Sequence, residues 1–272
     1  MQLGDWTIHS LCDGYVDIDQ AMLFDQSAPV IQKRLGSEET LYQTPIYAFL
    51  IDTGQHLILV DTGCGGILGP TAGQLMERLK EIGCDALNVT HVLITHLHLD
   101  HIGGLLDEQG ERVFPQATLY VPKADADFWT DSDEEAKAID LLRPNFPIAR
   151  QVLSLYDDKL QLIGPNQSIL PNIESVAALG HTVGHLAFRF SSQDQSALLW
   201  ADLVHNAGIQ FAKPEWEVTV DTVPEAAVQS RHRLFAEAAD QNYLIGGAHL
   251  PHPGLGHVSS QDNHCTWHPL SQ

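Results

Sequence analysis

His96-Leu97-His98-Leu99-Asp100-His101 sets four metal-binding side chains within six residues. A transition-metal site needs imidazole nitrogens and carboxylates converging on one point, and few other demands produce such a cluster. His96 and His98 lie two apart, so in extended backbone they project to the same side. Asp100 and His101 follow, where the chain must turn. The arrangement suits two adjacent metal ions, with the first His pair on one and the Asp-His pair on the other. A polar loop in a chain of 15 histidines is the competing reading, and it explains neither the ligand types nor their spacing.

Buried strands must carry these groups. Val92-Leu93-Ile94-Thr95 is a short apolar, β-branched run that reads as a strand, and the ligands begin where it ends. Ile102-Gly103-Gly104-Leu105-Leu106 then allows close backbone packing and opens a short helix. Sites at strand ends are held rigidly and still reach solvent. Three more polar residues end apolar runs. Asp61 follows Leu57-Ile58-Leu59-Val60 and fits either an Asx turn with Thr62 and Gly63 or a group that orients a ligand histidine. Asp202 follows Ala197-Leu198-Leu199-Trp200, where a buried carboxylate needs a partner or a metal. His249 follows Tyr243-Leu244-Ile245-Gly246-Gly247. His181 and His185 flank a Gly-containing turn, and on spacing alone either reads as an ordinary histidine more readily than as a ligand.

The His96, His98, Asp100, His101 pattern resembles the signature of the metallo-β-lactamase superfamily. Val60-Asp61-Thr62-Gly63, Gly180-His181-Thr182-Val183-Gly184-His185, Ala201-Asp202 and Ala248-His249 resemble its other motifs, in order, so that the resemblance covers about residues 40 to 255. One departure is Val183, where proline is common. It affects loop stiffness and not ligand chemistry. The resemblance implies an α+β fold, a four-layer αβ/βα sandwich of two facing mixed β-sheets with helices outside. It implies that His96, His98 and His181 hold one divalent ion and that Asp100, His101 and His249 hold a second. Asp202 is shared, Asp61 stands behind the ligands, and His185 is structural. Zn²⁺ suits this donor set best, with Mn²⁺, Fe²⁺ or Co²⁺ also fitting. Two ions so held lie roughly 3.5 to 4 Å apart and turn a bridging water into a hydroxide nucleophile. Asp100 is the candidate to orient that hydroxide or move its proton, and His205 the candidate to reach the leaving group.

Finer features look like the branch that holds methyl parathion hydrolases and acyl-homoserine lactonases: Leu57 to Gly65, Leu93 to Leu105 ahead of Val113-Phe114-Pro115, Phe128-Trp129, and His249 to Gly254. That likeness implies a hydrolase of small, largely neutral esters or lactones, with organophosphate triesters as a promiscuous activity. It implies an apolar pocket, for which Phe24, Phe128, Trp129, Phe146 and Trp216 are candidates. Core packing is the competing role for each. Two other chemistries on the same fold stay open. One is an iron-dependent oxygenase or sulfur-handling enzyme, which needs a single metal. The other is a thioester hydrolase of glutathione conjugates, which needs basic residues to hold carboxylates.

The whole chain limits the choice of partners. At 272 residues it fits a single domain over 1–272, with pseudo-duplicated halves dividing near 150–170. The net charge of -21 and the lack of any Lys/Arg cluster disfavour a nuclease. The expected partner is a small-molecule substrate, with no nucleic acid and no membrane. A homodimer is plausible only through the resemblance. Cys12, Cys64, Cys84 and Cys265 show no paired short spacing and read as free thiols in a reducing compartment. No secretory signal is evident after Met1, and no apolar run is long enough for a membrane span, so a soluble, cytoplasmic protein is expected.

Other elements follow from pattern. Residues 1 to 20 read as a hairpin turning at Asp13-Gly14. Residues 21 to 45 read as irregular, a connection or a cover for the site. Ile46–Ile51, His56–Val60 and Leu119–Val121 read as strands. Gln74–Ile82 has helical spacing, and Gly66 to Gly73 reads as a rim. Ala124 to Leu142 reads as one or two exposed acidic helices, broken by Pro144 and Pro147. Leu153–Ile163 and Ile173–Leu179 alternate like strands, and Leu186–Phe190 with Ala197–Trp200 reads as a hairpin. Pro224–Ala239 reads as a helix. Residues 250 to 272 read as a tail rich in Pro, Gly and His.

Overall fold

A computed structural model describes residues 1–262 and 264–271. Its strands form two sheets of seven, and each sheet comes from one half of the chain. The first holds β1 (Gln2–Leu3), β2 (Trp6–Asp19), β3 (Leu41–Asp52), β4 (Leu57–Val60), β5 (His91–Leu93), β6 (Thr118–Pro122) and β7 (Leu160–Ile163), in that order. The second holds β8 (Ser168–Leu170), β9 (Ile173–Ala177), β10 (Leu186–Ser192), β11 (Gln195–Leu199), β12 (Leu244–Gly246), β13 (Leu255–Gln261) and β14 (His264–Pro269). Both sheets are mixed. In the first, β4 to β7 run parallel. In the second, only β11 and β12 do.

Three apolar layers hold these sheets. Ile8, Phe49, Ile58 and Val60 face Leu186, Phe188, Phe190 and Leu199 between them. Leu59, Val92 and Leu119 on the far side of the first sheet pack against helices α3 (Leu75–Glu81), α5 (Lys123–Thr130) and α7 (Asn145–Leu155). Ala187, Leu198 and Ile245 on the far side of the second pack against α9 (Pro224–Gln241). Strands buried on both faces read as continuous apolar runs, which is how Leu57–Val60 and Ala197–Leu199 stand in the sequence. The result is the expected four-layer α+β sandwich. Among the described residues no helix is long and apolar enough to cross a membrane.

Several local expectations are corrected. Asp13-Gly14 is not a turn. It is a bulge inside β2, and the hairpin turns earlier, between Leu3 and Trp6. The Asp13 carboxylate points inward and accepts from the amides of Cys64, Gly73 and Leu75 at 2.8–3.0 Å, which fastens the glycine-rich rim. Residues 21 to 45 are not irregular. They form α1 (Gln20–Leu23), α2 (Ala28–Leu35) and the start of β3. Leu23, Phe24 and Ile31 pack against Ile209, on α8 (Ala207–Gln210), and Val218 in a small core of their own.

Pro144 and Pro147 begin α7 rather than end a helix, because the first turn has no intrahelical acceptor for those missing N–H groups. That helix runs on to Leu155, so only Leu160–Ile163 of the expected strand is one. The acidic stretch divides into α5 and α6 (Ser132–Lys137), and α5 is not wholly exposed, since Asp125 is buried. The tail over 250–272 forms the β13–β14 hairpin, with residues 263 and 272 outside the described ones.

The chain leaves several strands on one edge of the sandwich. Parallel pairing aligns the ends of β4 and β5 and those of β11 and β12. The Leu186 amide donates to Thr95 O at 3.0 Å, and the Tyr47 amide to Ala248 O at 3.0 Å, so the two sheets are stitched beside that edge. Close approach is needed there. A Cβ on Gly104 would lie 2.0 Å from Thr62 O, and one on Gly103 would lie 2.1 Å from Cys64 O. Gly104→Ala is therefore expected to lower stability by about 1–3 kcal/mol, read as a reduced urea midpoint at constant slope.

Candidate metal centre

Each candidate ligand leaves the sheets at that common edge. His96 and His98 follow β5, and Asp100 and His101 sit on the single turn α4 (Leu99–Ile102). Asp202 lies in the 3-10 turn Ala201–Leu203 after β11. His249 follows β12. His181 lies in the loop between β9 and β10, strapped to a second loop by Thr222 N→His181 O (2.9 Å) and Val223 N→Gly180 O (2.8 Å).

The side chains gather into two groups, His96-His98-His181-Asp202 and Asp100-His101-Asp202-His249. His98 Nδ1 and His181 Nε2 are 3.0 Å apart. Asp202 Oδ2 lies 3.4 Å from His181 Nε2, 3.8 Å from His96 Nε2 and 3.1 Å from His249 Nε2. Its Oδ1 lies 3.1 Å from His101 Nε2. Asp100 Oδ2 lies 3.5 Å from His101 Nε2 and 3.4 Å from His249 Nε2. Donors about 2.0–2.2 Å from one tetrahedral ion stand about 3.3 Å from each other, and these separations are of that size. His101 Nε2 and Asp202 Oδ1 are close yet form no hydrogen bond, and the buried His96 Nε2 has no partner either. Lone pairs aimed at a shared point rather than at one another fit a cation. The residues therefore fit two metal ions sharing Asp202.

Outer partners fix the rings. Asp61 accepts from His101 Nδ1, from Thr95 N and from Thr95 Oγ1, each at 2.8 Å. Asp221 Oδ1 accepts from His181 Nδ1 at 2.9 Å, and its Oδ2 accepts from Val218 N at 3.1 Å. Pro45 O accepts from His249 Nδ1 at 2.8 Å. Such partners set the tautomer that leaves the other nitrogen free for a metal. Asp125 ties the two halves together, accepting from Leu97 N at 3.0 Å and Gly184 N at 2.7 Å. Asn145 Oδ1 accepts from Leu99 N at 2.9 Å.

The electrostatics are those of a cation pocket. Burial, with neighbouring imidazoles, holds His96 and His98 well below the usual imidazole range. Burial also opposes charge on His101 and His249, but carboxylates prevail. Asp202, Asp100 and Asp61 lift His101 well above its ordinary value, and Asp202 and Asp100 lift His249 to about 9. Burial would raise Asp202, yet His249, His101 and His96 hold it well below the carboxylate range. The carboxylates thus draw positive charge inward. Divalent ions supply that charge while leaving the imidazoles neutral, as ligation requires.

Residues 41–249 match the model of the metallo-beta-lactamase superfamily, well over half of the chain. The chain belongs to the metallo-β-lactamase superfamily. Among solved structures it is similar to AidC, a dizinc quorum-quenching lactonase in complex with a product. The identity is 28% and the TM-score 0.92, over 100% of this chain and 97% of that one. It is similar to the hydrolase AbOPH of the beta lactamase superfamily at 30% identity and TM-score 0.91, again over 100% and 97%. Among curated proteins, the N-acyl homoserine lactonase AiiA of Bacillus thuringiensis subsp. kurstaki is 23% identical over 84% of this chain and 87% of its own. A metallo-hydrolase of Mycobacterium tuberculosis is 25% identical over 60% of this chain, which spans only 57% of that relative's length. Family and neighbours together support a metal-dependent hydrolase.

The remaining superfamily candidates fall in different places. His205 is buried beside the centre, with Nε2 3.4 Å from Asp202 Oδ2 and its ring stacked on His249. Burial pushes it down to about 4. The His185 ring packs against the His96 ring, and neither of its nitrogens has a hydrogen-bond partner. Cys64 is buried and free, its thiol pushed up by burial. Trp129 and Phe146 are fully buried core residues, so neither forms an open pocket wall. Trp129 instead backs His98, ring to ring at 5.3 Å. Phe128 packs on the same core. Phe24 and Trp216 do line a cavity of 410 Å³ that reaches Asp221.

Sequence reasoning missed Asp221, Asp125 and Asn145. Each acts on a residue 28 or more positions away, and no short spacing announces it. Asp221→Asn is expected to weaken metal retention about 10- to 100-fold, measured by competition with a chelator at constant pH.

Proposed function

We propose that this protein is a dinuclear metallohydrolase, with zinc as the metal that fits best, acting on small neutral lactones and esters. N-Acyl homoserine lactones are the first substrates to test, and organophosphate triesters are a promiscuous class. The observation that carries this reading is the sharing of Asp202 by two complete ligand groups. Divalent ions held there would acidify a bound water and polarise the substrate's carbonyl oxygen. A one-metal redox chemistry has no use for the second group. The similarity to AidC over the full chain supports the lactone as substrate.

The protein's own groups divide the remaining work. Asp100 is the more open carboxylate, its side chain 19% exposed against 3% for Asp202. It is placed to hold a water and take its proton. His205, neutral through burial, would offer its one ring N–H as a hydrogen-bond donor to the leaving oxygen as the ring C–O bond breaks, while the proton that Asp100 takes from the water would end on that oxygen. Water adds to the carbonyl carbon, and the product is a hydroxy acid. The cavity that reaches Asp221, the partner of His181, carries Asp25, Glu215 and Glu217. These repel carboxylates, which favours a neutral substrate over a glutathione thioester.

Two outcomes test the reading. Zinc-loaded protein is expected to open N-acyl homoserine lactones, with activity lost on chelation and in Asp202→Ala by more than about a hundredfold, beyond the effect of losing an outer partner. Equal turnover with and without metal would sink it. His205→Ala is expected to lower kcat by about a hundredfold at unchanged metal content. An unchanged kcat would remove His205 from the mechanism.

A further inference from the structure

The buried stripe of α9 is Ala227, Ser230, Arg231, Leu234, Phe235 and Ala238. This is helical spacing for a core-facing surface, and a guanidinium stands in it. Arg231 is 1% exposed, and among the described residues no carboxylate lies within ion-pair distance of it. Burying an unpaired cation is costly, and an aliphatic side chain would fill that stripe without the cost. What the guanidinium does instead is donate to three backbone carbonyls. Nε reaches Leu203 O at 2.8 Å. Nη1 reaches Pro214 O at 2.7 Å and Trp216 O at 3.0 Å.

These carbonyls belong to two different segments, one at the candidate metal centre and one at the cavity. Leu203 is the residue after Asp202, in the same 3-10 turn. Pro214 and Trp216 belong to the segment whose Trp216 ring, 6.2 Å from Phe24, walls the cavity beside Asp221. Gln210 adds a weaker strap, accepting from His205 N at 2.7 Å and donating to Trp216 O at 3.2 Å. A planar fork with fixed donor angles holds two such segments at a set distance, which a flexible ammonium does not.

We propose that Arg231 is a positioning residue that determines specificity. It fixes the Trp216 wall relative to the Asp202 turn and so sets the width of the cavity that reaches Asp221, the carboxylate holding His181, and with it the acyl length the protein accepts. The proposal rests on the lactone and ester reading for its substrates, but not for its structural content.

The test compares zinc-loaded wild type, Arg231→Lys and Arg231→Met on N-butanoyl and N-decanoyl homoserine lactone. In Arg231→Met, KM for the decanoyl substrate is expected to change by about tenfold more than KM for the butanoyl one, a displacement effect of the size positioning losses produce. Arg231→Lys should lie between, since it retains the charge but not the fork. Acrylamide quenching of tryptophan, with Trp216→Phe as the control for that residue, should show Trp216 more accessible in Arg231→Met. A uniform fall in kcat on both substrates, with unchanged quenching and only a lower melting temperature, would overturn the proposal and leave Arg231 as mere core. If wild type opens neither lactone, the functional reading fails. The quenching arm then decides for Arg231, with unchanged accessibility overturning it.

Discussion

The Asp202 carboxylate is the constraint around which the site is built. It is 3% exposed, and its two oxygens face the imidazoles of four candidate ligands at 3.1–3.8 Å, with His205 a fifth ring at 3.4 Å. A carboxylate so buried is unaffordable alone. The four rings come from the end of β5, from α4, from the β9–β10 loop and from the end of β12. They meet only if both sheets are formed and correctly stacked. That makes the parallel register of β4 with β5 and of β11 with β12 a condition of the site. A slip of one residue in either pair would turn every side chain to the opposite face.

Backbone strain gathers at the same place. Asp61 and Ala201 both have positive φ, 57° and 45°, a conformation that costs a non-glycine residue roughly 1–3 kcal/mol. Asp61 turns its carboxylate under the His101 ring, and Ala201 turns the chain so that Asp202 faces the rings. The strain on Asp61 is held by three hydrogen bonds at 2.8 Å. That on Ala201 is held from within the edge, where its carbonyl accepts from Ala248 N at 3.3 Å, and from the far side of the same turn by Arg231. The two halves thus solve one problem with different means, a carboxylate in the first and a buried guanidinium in the second.

The legibility of these parts follows from distance along the chain. Four candidate ligands stand in one hexapeptide, so their convergence is visible without knowing the fold. His181, Asp202 and His249 become visible only through the ordered motifs of the superfamily, because each is a single residue at the end of an unremarkable apolar run. Asp221 is one acid among 35 Asp and Glu residues, and its partner lies 40 residues away. Asp125 sits in a stretch whose neighbours are acidic and exposed, so composition pointed outward while the Leu97 and Gly184 amides drew it inward. The same logic governs the elements. Leu57–Val60 was readable because it is apolar on both faces. The α1–α2 segment was not, because its few apolar residues find their partners near Ile209 and Val218, far away in sequence. In β2, the inserted Asp13 breaks the alternation that identifies a strand.

A lactone is neutral, and its hydrolysis creates a carboxylate. Two unit charges 4 Å apart interact by about 1 kcal/mol in water and several-fold more at a protein surface. Asp25, Glu215 and Glu217 line the cavity that reaches Asp221, so a carboxylate formed there would be disfavoured while a neutral ester would not. A wall that discriminates in this direction lowers the hold on the hydroxy acid without weakening the grip on the ester. Divalent ions held by the two ligand groups would pull the other way, since they would attract the new carboxylate. On the lactone reading turnover would depend on the balance between a cationic floor and an acidic wall, and the wall belongs to the segment that Asp221 and Arg231 fasten at Val218, Pro214 and Trp216.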